Sequence, residues 1–336
     1  MLRALEEDIE VDVARRMIPE GRVLMLRQVS RAVRTAMERG FRPSAKITVA
    51  PAQPVATVEV GLLDSMRWSC ITLLDLSKIK IRADGAGRLA TVLGQCQSLV
   101  HLDLRNNRIG AEGTEVVAKN LGRCPLLAHL DLGHNDIGAE GAGRLAIVLG
   151  QWPSLACLDL CANRIGAAGA GQLAAALGQA QRLAHLDIRH NNIGAEGAGR
   201  MAAGLGECQS LVHLNVCHND IGDEGAGRLA AGLRRWPLLA HLDLSHNNIG
   251  DEGMTRLAQE LGQSSGQSLA HLNLASNRIG VAGATQLAAV LGQCPVLADL
   301  LLKNNLIVGA HNLWGRHLDA RTRALVRRLG FTIPGA

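Results

Sequence analysis

From about residue 71 onward the chain alternates between two hydrophobic periods. In the stretch beginning at Leu127, Leu130 and Leu132 alternate with His129 and Asp131, the two-residue period of a short strand. Farther on, Ala142, Leu145, Ala146 and Leu149 recur at i, i+3, i+4 and i+7, the spacing of an amphipathic helix. The same register gives Val117/Leu121, Leu173/Leu177, Met201/Leu205, Leu229/Leu233, Leu257/Leu261 and Leu287/Leu291. Gly141 stands at the helix entrance, where a missing side chain is expected to allow close packing against the next copy.

The alternation is a repeat. LVHLDLRNNRIGAEG from Leu99 returns as LAHLDLGHNDIGAEG from Leu127 and again from Leu155, Leu183, Leu211, Leu239, Leu269 and, degraded, Leu297. A poorer copy begins at Ile71, which makes nine. The period is 28 residues, except for 30 between Leu239 and Leu269, where Ser264–Ser268 accommodates two more. One copy is too short to bury its own apolar face, so stability has to come from stacking neighbours. Strands sit about 4.8 Å apart and helices about 8–10 Å apart. The expected stack is therefore curved, with parallel strands on the concave side and helices on the convex side.

The pattern L-x-x-L-x-L-x-x-N-x-I-G with one helix per copy resembles the leucine-rich-repeat family, in its ribonuclease-inhibitor-like subclass, over about Ile71–Arg328. The resemblance implies an α/β fold, a right-handed β-α solenoid or horseshoe, and a protein-binding role. The chain is expected to divide into a helical N-terminal cap or F-box-like segment with a linker (1–60), the solenoid of about nine repeats (61–310) and a C-terminal helical cap (311–336). Val23–Arg34 resembles the second half of an F-box, which implies a cullin-ligase linker protein as a partner through Val23–Met37. Phe41–Glu59 reads as a link or edge segment and Leu62–Trp68 as a half-copy helix. Asp319–Gly330 reads as the capping helix, following Trp314.

Columns through the repeat supply the candidate residues. Asn107, Asn135, Asn163, Asn191, Asn219, Asn247, Asn277 and Asn305 fall where the chain leaves each strand, and a buried amide there can satisfy backbone groups of adjoining turns. That ladder reads as structural. The partner surface is expected on the concave face. Its first column includes His101, His129, His185, His213 and His241, and its second Asp103, Asp131, Asp159, Asp187 and Asp243. The more variable third column includes Arg105, Gly133, Cys161, Arg189, Cys217 and Ser245, and the fourth His134, His190, His218 and His246. Variable positions are the ones expected to set partner choice.

Stacked imidazoles beside carboxylates raise the prospect of a metal or acid/base site. The columns are uniform, however, and a catalytic centre needs one distinct constellation with its own supporting shell. We therefore expect no catalytic residue, cofactor or metal. The histidines should instead make partner binding respond to pH between 5 and 7. Cys96, Cys124, Cys208 and Cys294 interchange with Trp152, Trp236 and Ala180 in one column and read as apolar filler, whereas Cys157, Cys161 and Cys217 belong to the concave face.

Charge and composition narrow the partner class. The net charge is +5, but residues 71–302 carry 18 basic and 20 acidic groups, so the solenoid itself stands at −2. With four Trp, two Phe and no Tyr, the whole chain also lacks a series of stacking platforms for bases. The expected partner is a protein, with neither nucleic acid nor membrane involved. The acidic start of the chain and the eight cysteines suit a cytoplasmic or nuclear location. The leading expectation is a non-enzymatic interaction module. Alternatives implied by resemblance are an F-box substrate adaptor and a Ran-type GTPase-activating protein, for which Arg82, Arg108, Arg164 and Arg278 are the loop arginines.

Overall fold

A computed structural model describes residues 48–51, 71–263 and 268–307. The F-box-like segment, the Leu62–Trp68 half-copy and the C-terminal cap lie outside the described residues, as does most of the Ser264–Ser268 insertion. The chain divides into two compact units after Asn163.

In the first unit, β1 (Thr48–Pro51) pairs antiparallel with β2 (Ile71–Asp75). Thus part of the Phe41–Glu59 segment forms the edge of a ladder. From β2 the ladder is parallel through β3 (His101–Asp103), β4 (His129–Asp131) and β5 (Cys157–Asp159). Its register places Leu74, Leu102, Leu130 and Leu158 side by side. Between these strands run α1 (Arg82–Leu93), α2 (Gly110–Leu121) and α3 (Gly138–Leu149).

The second unit repeats the plan. Helix α4 (Gly166–Leu177) precedes β6 (His185–Asp187), followed by α5 (Gly194–Gly204), β7 (His213–Asn215), α6 (Gly222–Gly232) and β8 (His241–Asp243). Then come α7 (Asp251–Gln263), β9 (His271–Asn273), α8 (Val281–Val290) and β10 (Asp299–Leu301). Strands β6 to β10 are parallel and each pairs with its neighbour at a one-copy offset. Each unit is a β-α solenoid.

The core lies between the strands and the helices. Leu99, Leu102, Leu104 and Ile109 of one copy are fully buried, as are their counterparts Leu127, Leu130, Leu132 and Ile137. Two expectations about helix packing are corrected. In α3 the buried residues are Gly141, Ala142, Leu145, Val148 and Leu149, while Ala146 is only half-buried. Gly141 packs against the preceding copy rather than the next: a Cβ there would lie 2.9 Å from Ala111 Cα and 2.6 Å from Ile137 Cγ2. The helix start leans back onto the start of its predecessor, and only a hydrogen fits between them.

Candidate functional site

The exposed side chains of interest stand on a turn with an unusual backbone. After strands β2 to β8, alternate residues adopt a left-handed conformation. Asn106, Arg108 and Gly110 have φ of +59°, +53° and +68°, and His134, Asp136 and Gly138 follow with +57°, +56° and +66°. Between them Asn107 and Ile109 point inward and are buried. Residues in the left-handed region cost free energy unless the surroundings over-determine them. Here two side chains supply that support.

The first is the second-column carboxylate or amide. In each of the first eight copies its Oδ1 accepts the N–H two residues ahead: Asp75 from Ser77, Asp103 from Arg105, Asp131 from Gly133, Asp159 from Cys161 and Asp187 from Arg189. Asn215, Asp243 and Asn273 do the same for Cys217, Ser245 and Ala275. This turn-closing role was missed in the sequence, although Asp/Asn interchange in the column was its signal, since both offer the same acceptor oxygen.

The second support is the asparagine ladder. Asn135 Oδ1 accepts the N–H groups of Asn107 and Ile109 at 3.0 and 3.4 Å. Its Nδ2 donates to the carbonyls of Leu104 and Leu132, both at 2.9 Å. Its own backbone carbonyl accepts the Gly110 N–H at 2.9 Å. One amide thereby ties its copy to the preceding one. Asn107, Asn219, Asn247 and Asn277 make the equivalent pairs, and Asn163 and Asn191 sit equally deep. At the end of the series Asn305 is half-buried, with Oδ1 accepting from Ile279.

Three predicted partner residues are corrected by their burial. Asp103, Cys161 and Ser245 are each only 4% exposed. A short side chain in the third column is walled in: even a Cβ on Gly133 would meet Asp131 Oδ1, Asp159 Oδ1 and the Cys161 carbonyl within 3.6 Å. Only long side chains emerge. Arg105 and Arg189 are exposed, and Cys217 is half-buried. Asp103 is covered by the same logic, with Arg105 Nη2 2.7 Å from its Oδ2 and Arg105 Nε 3.6 Å from Asp131. Asp131, Asp159, Asp187 and Asp243 remain half-buried. Desolvation chiefly, with Asp159 and Asp103 adding to it, pushes the Asp131 carboxyl up to about 6 against the Gly133 N–H and Arg105.

The histidines occupy the accessible rim. In the second unit His185, His213, His241 and His271 form one stack, with centroid separations of 4.1, 3.9 and 4.1 Å and planes within 14°. His190, His218 and His246 form a parallel stack at 4.1 and 3.9 Å. In the first unit His101 and His129 are tilted and 5.5 Å apart, and His134 is exposed with Nε2 3.9 Å from Cys161 Sγ. Desolvation, reinforced by His185, His241 and His271, pushes His213 down to about 4. His218 and His241 are lowered by desolvation first and adjacent rings second, and His129 by desolvation and His101. Within the stacks His213, His218 and His241 are thereby held neutral at pH 7.

Among the described residues no group of three or more His, Cys, Asp or Glu is arranged to hold a metal ion. Stacked rings direct their nitrogens in parallel, whereas a metal needs them to converge. Cys96, Cys124 and Cys208 are buried and Cys294 is half-buried; Cys124, Cys208 and Cys294 donate to carbonyls of the preceding copy, as Cys124 Sγ does to Leu93 at 3.3 Å. Burial pushes Cys96 up to about 12 and Cys124 to about 11, which removes them from nucleophilic chemistry at neutral pH. Arg108, Arg164 and Arg278 are exposed in one loop column, and Arg82 occupies the turn position that Gly110 fills in the following copy. No described helix is long and apolar enough to cross a membrane.

The family model described as Leucine Rich repeat matches residues 95–118, 123–146, 181–202, 207–230, 237–258 and 267–288. No curated protein matches the sequence. Among solved structures 230 chains match. One is a tropomodulin C-terminal domain from structural genomics of Caenorhabditis elegans, 15% identical, with a TM-score of 0.38 over 45% of this chain and 92% of that one.

Proposed function

Because this chain is a leucine-rich-repeat protein, we propose that it is a non-enzymatic interaction module that holds a protein partner on the exposed face of its strand ladders. The observation that carries this reading is the division of labour in each copy. The turn's inward amides and carboxylates are consumed in holding the backbone, while the histidines, Arg105 and Arg189 stand clear of it. A surface of that kind recognises through side chains presented at one-copy intervals. The 28-residue period with one helix per copy supports the ribonuclease-inhibitor-like subclass.

Partner choice falls to the side chains that are both variable and accessible, namely Arg105 and Arg189 with the flanking histidines. The cysteines, with no disulfide among the described residues, suit a reducing compartment. The test is affinity capture with the full chain and with Arg105→Glu, Arg189→Glu and, on the helix face, Arg200→Glu. A binding protein lost with either strand-face variant and kept with Arg200→Glu supports the reading. Retention of every captured protein by both strand-face variants refutes it.

A further inference from the structure

Building on the strand-face reading, we propose that the paired imidazole stacks of residues 164–307 are the docking strip for an aspartate- and glutamate-rich extended segment of the partner, engaged most tightly in mild acid. Copies five to eight each contribute a ring to the first stack, and copies five to seven contribute one to the second. Rings 3.9–4.1 Å apart can lie parallel while uncharged. Two imidazolium charges that close repel, and the more strongly the less water separates them. The strip therefore takes up protons readily only when anions are laid along it.

The chain carries its own example of the anion. Where the first column passes from His271 to the next copy, aspartate replaces histidine, and Asp299 Oδ2 lies 2.7 Å from His271 Nδ1. A partner carboxylate on His185, His213 or His241 would repeat that contact one or more copies upstream. The chain's other carboxylates beside the strip are already engaged. Asp187 accepts from Arg189 N–H and Asn215 Nδ2, and Asp243 from Ser245 N–H, Ser245 Oγ and Asn273 Nδ2. The Arg189 and Lys303 cations also face this side, and both favour an anionic segment. Cys217, in the column between the stacks, has its thiol pushed up by burial and adds no charge. Carboxylate suits the strip better than phosphate, because phosphate recognition favours clustered guanidinium groups.

Binding and protonation are linked. A carboxylate beside an imidazole raises its proton affinity, so the complex binds protons that the free chain does not. The experiment titrates the full chain with a fluorescein-labelled deca-aspartate peptide by anisotropy between pH 7.5 and 5.5. Calorimetry in buffers of differing ionisation heat counts the protons taken up. We expect about tenfold tighter binding at pH 5.5 than at 7.5, with net proton uptake. The His213→Gln/His241→Gln chain should bind weakly and with little pH dependence. Carbethoxylation of the unsubstituted chain, reversed by hydroxylamine, should abolish and then restore binding without any substitution. No binding at pH 5.5, an unchanged pH gain in the double variant, or tighter binding of a single-stranded decanucleotide would overturn the inference. Partner capture lost with Arg189→Glu at pH 7.5, alongside peptide binding without pH dependence, would remove this inference and leave the strand-face reading standing.

Discussion

Replacing Asn135 with alanine isolates the cost of one rung of the ladder. The carbonyls of Leu104 and Leu132 each keep a second amide, from Asn107 at 2.7 Å and from Asn163 at 2.9 Å. The N–H groups of Asn107 and Ile109 have no such reserve, and both lie in fully buried residues. An orphaned buried donor costs about 1–3 kcal/mol, and the 3.4 Å bond from Ile109 falls at the low end. The expected loss is about 2–4 kcal/mol. Asn305→Ala is the internal comparison, because it removes a half-buried amide that accepts one N–H, that of Ile279, and should cost about 1 kcal/mol. Equilibrium urea unfolding measures both, and amide exchange at Asn107 and Ile109 reports the local effect. Asn135→Asp separates donor from acceptor. It retains the accepting oxygen but turns a charge toward two carbonyls, so it should cost at least as much at pH 7 and recover as the carboxylate is protonated. A loss below about 1 kcal/mol for Asn135→Ala, or equal losses at Asn135 and Asn305, would refute the account.

Trp236 Nε1 donates to the Leu205 carbonyl at 3.0 Å, whereas Trp152 Nε1 is buried without a partner among the described residues. Phenylalanine should therefore cost about 1–2 kcal/mol at position 236 and less than 1 kcal/mol at position 152, read from thermal unfolding. Gly141→Ala forces a Cβ against the Ala111 backbone and should destabilise by about 1–3 kcal/mol. Gly87→Ala, in α1 with nothing within 4 Å, should stabilise by about 0.5–1 kcal/mol, and the same urea titration compares the two. Acidification should move the two units in opposite directions. His213, with its folded-state pKa depressed, contributes stability that is full above about 6.5 and lost as pH falls toward 4. Asp131, with its pKa raised, contributes stability that is present below about 3.8 and lost as pH rises through about 6. Amide exchange at pH 7 and pH 5 should show protection decreasing around His213 and increasing around Asp131. A parallel change in both units would contradict the assignment.

The period, the two hydrophobic rhythms and the asparagine column were all legible because each depends on residue type at fixed spacing. Leu130 and Leu132 face inward for the reason alternation implies, and Asn135 is buried for the reason an amide at a strand exit implies. The candidate surface was less legible, because exposure there depends on backbone direction. Arg105 and Cys161 share a column, yet one emerges and the other is walled in, a difference set by side-chain length above a turn that folds back on itself. The aspartates looked like surface because strand alternation places them outward, but the N–H two residues ahead claims their oxygen. Antiparallel pairing by Thr48–Pro51 also escaped notice, since nothing in a four-residue stretch distinguishes the direction of a partner strand.

Rungs such as Asn135, Asn219 and Asn277 join the same two backbone amides to the same side-chain oxygen, and this makes them interchangeable. If residues 213–240 were excised and Val212 were joined to His241, Asn191 would meet Asn247 with the geometry it now has with Asn219. No cut end would lack its counterpart. Whole blocks can thus be gained or shed without leaving an unmatched joint. The reach of the surface offered to a partner is then a matter of how many blocks the gene happens to carry, while folding constrains only the joints.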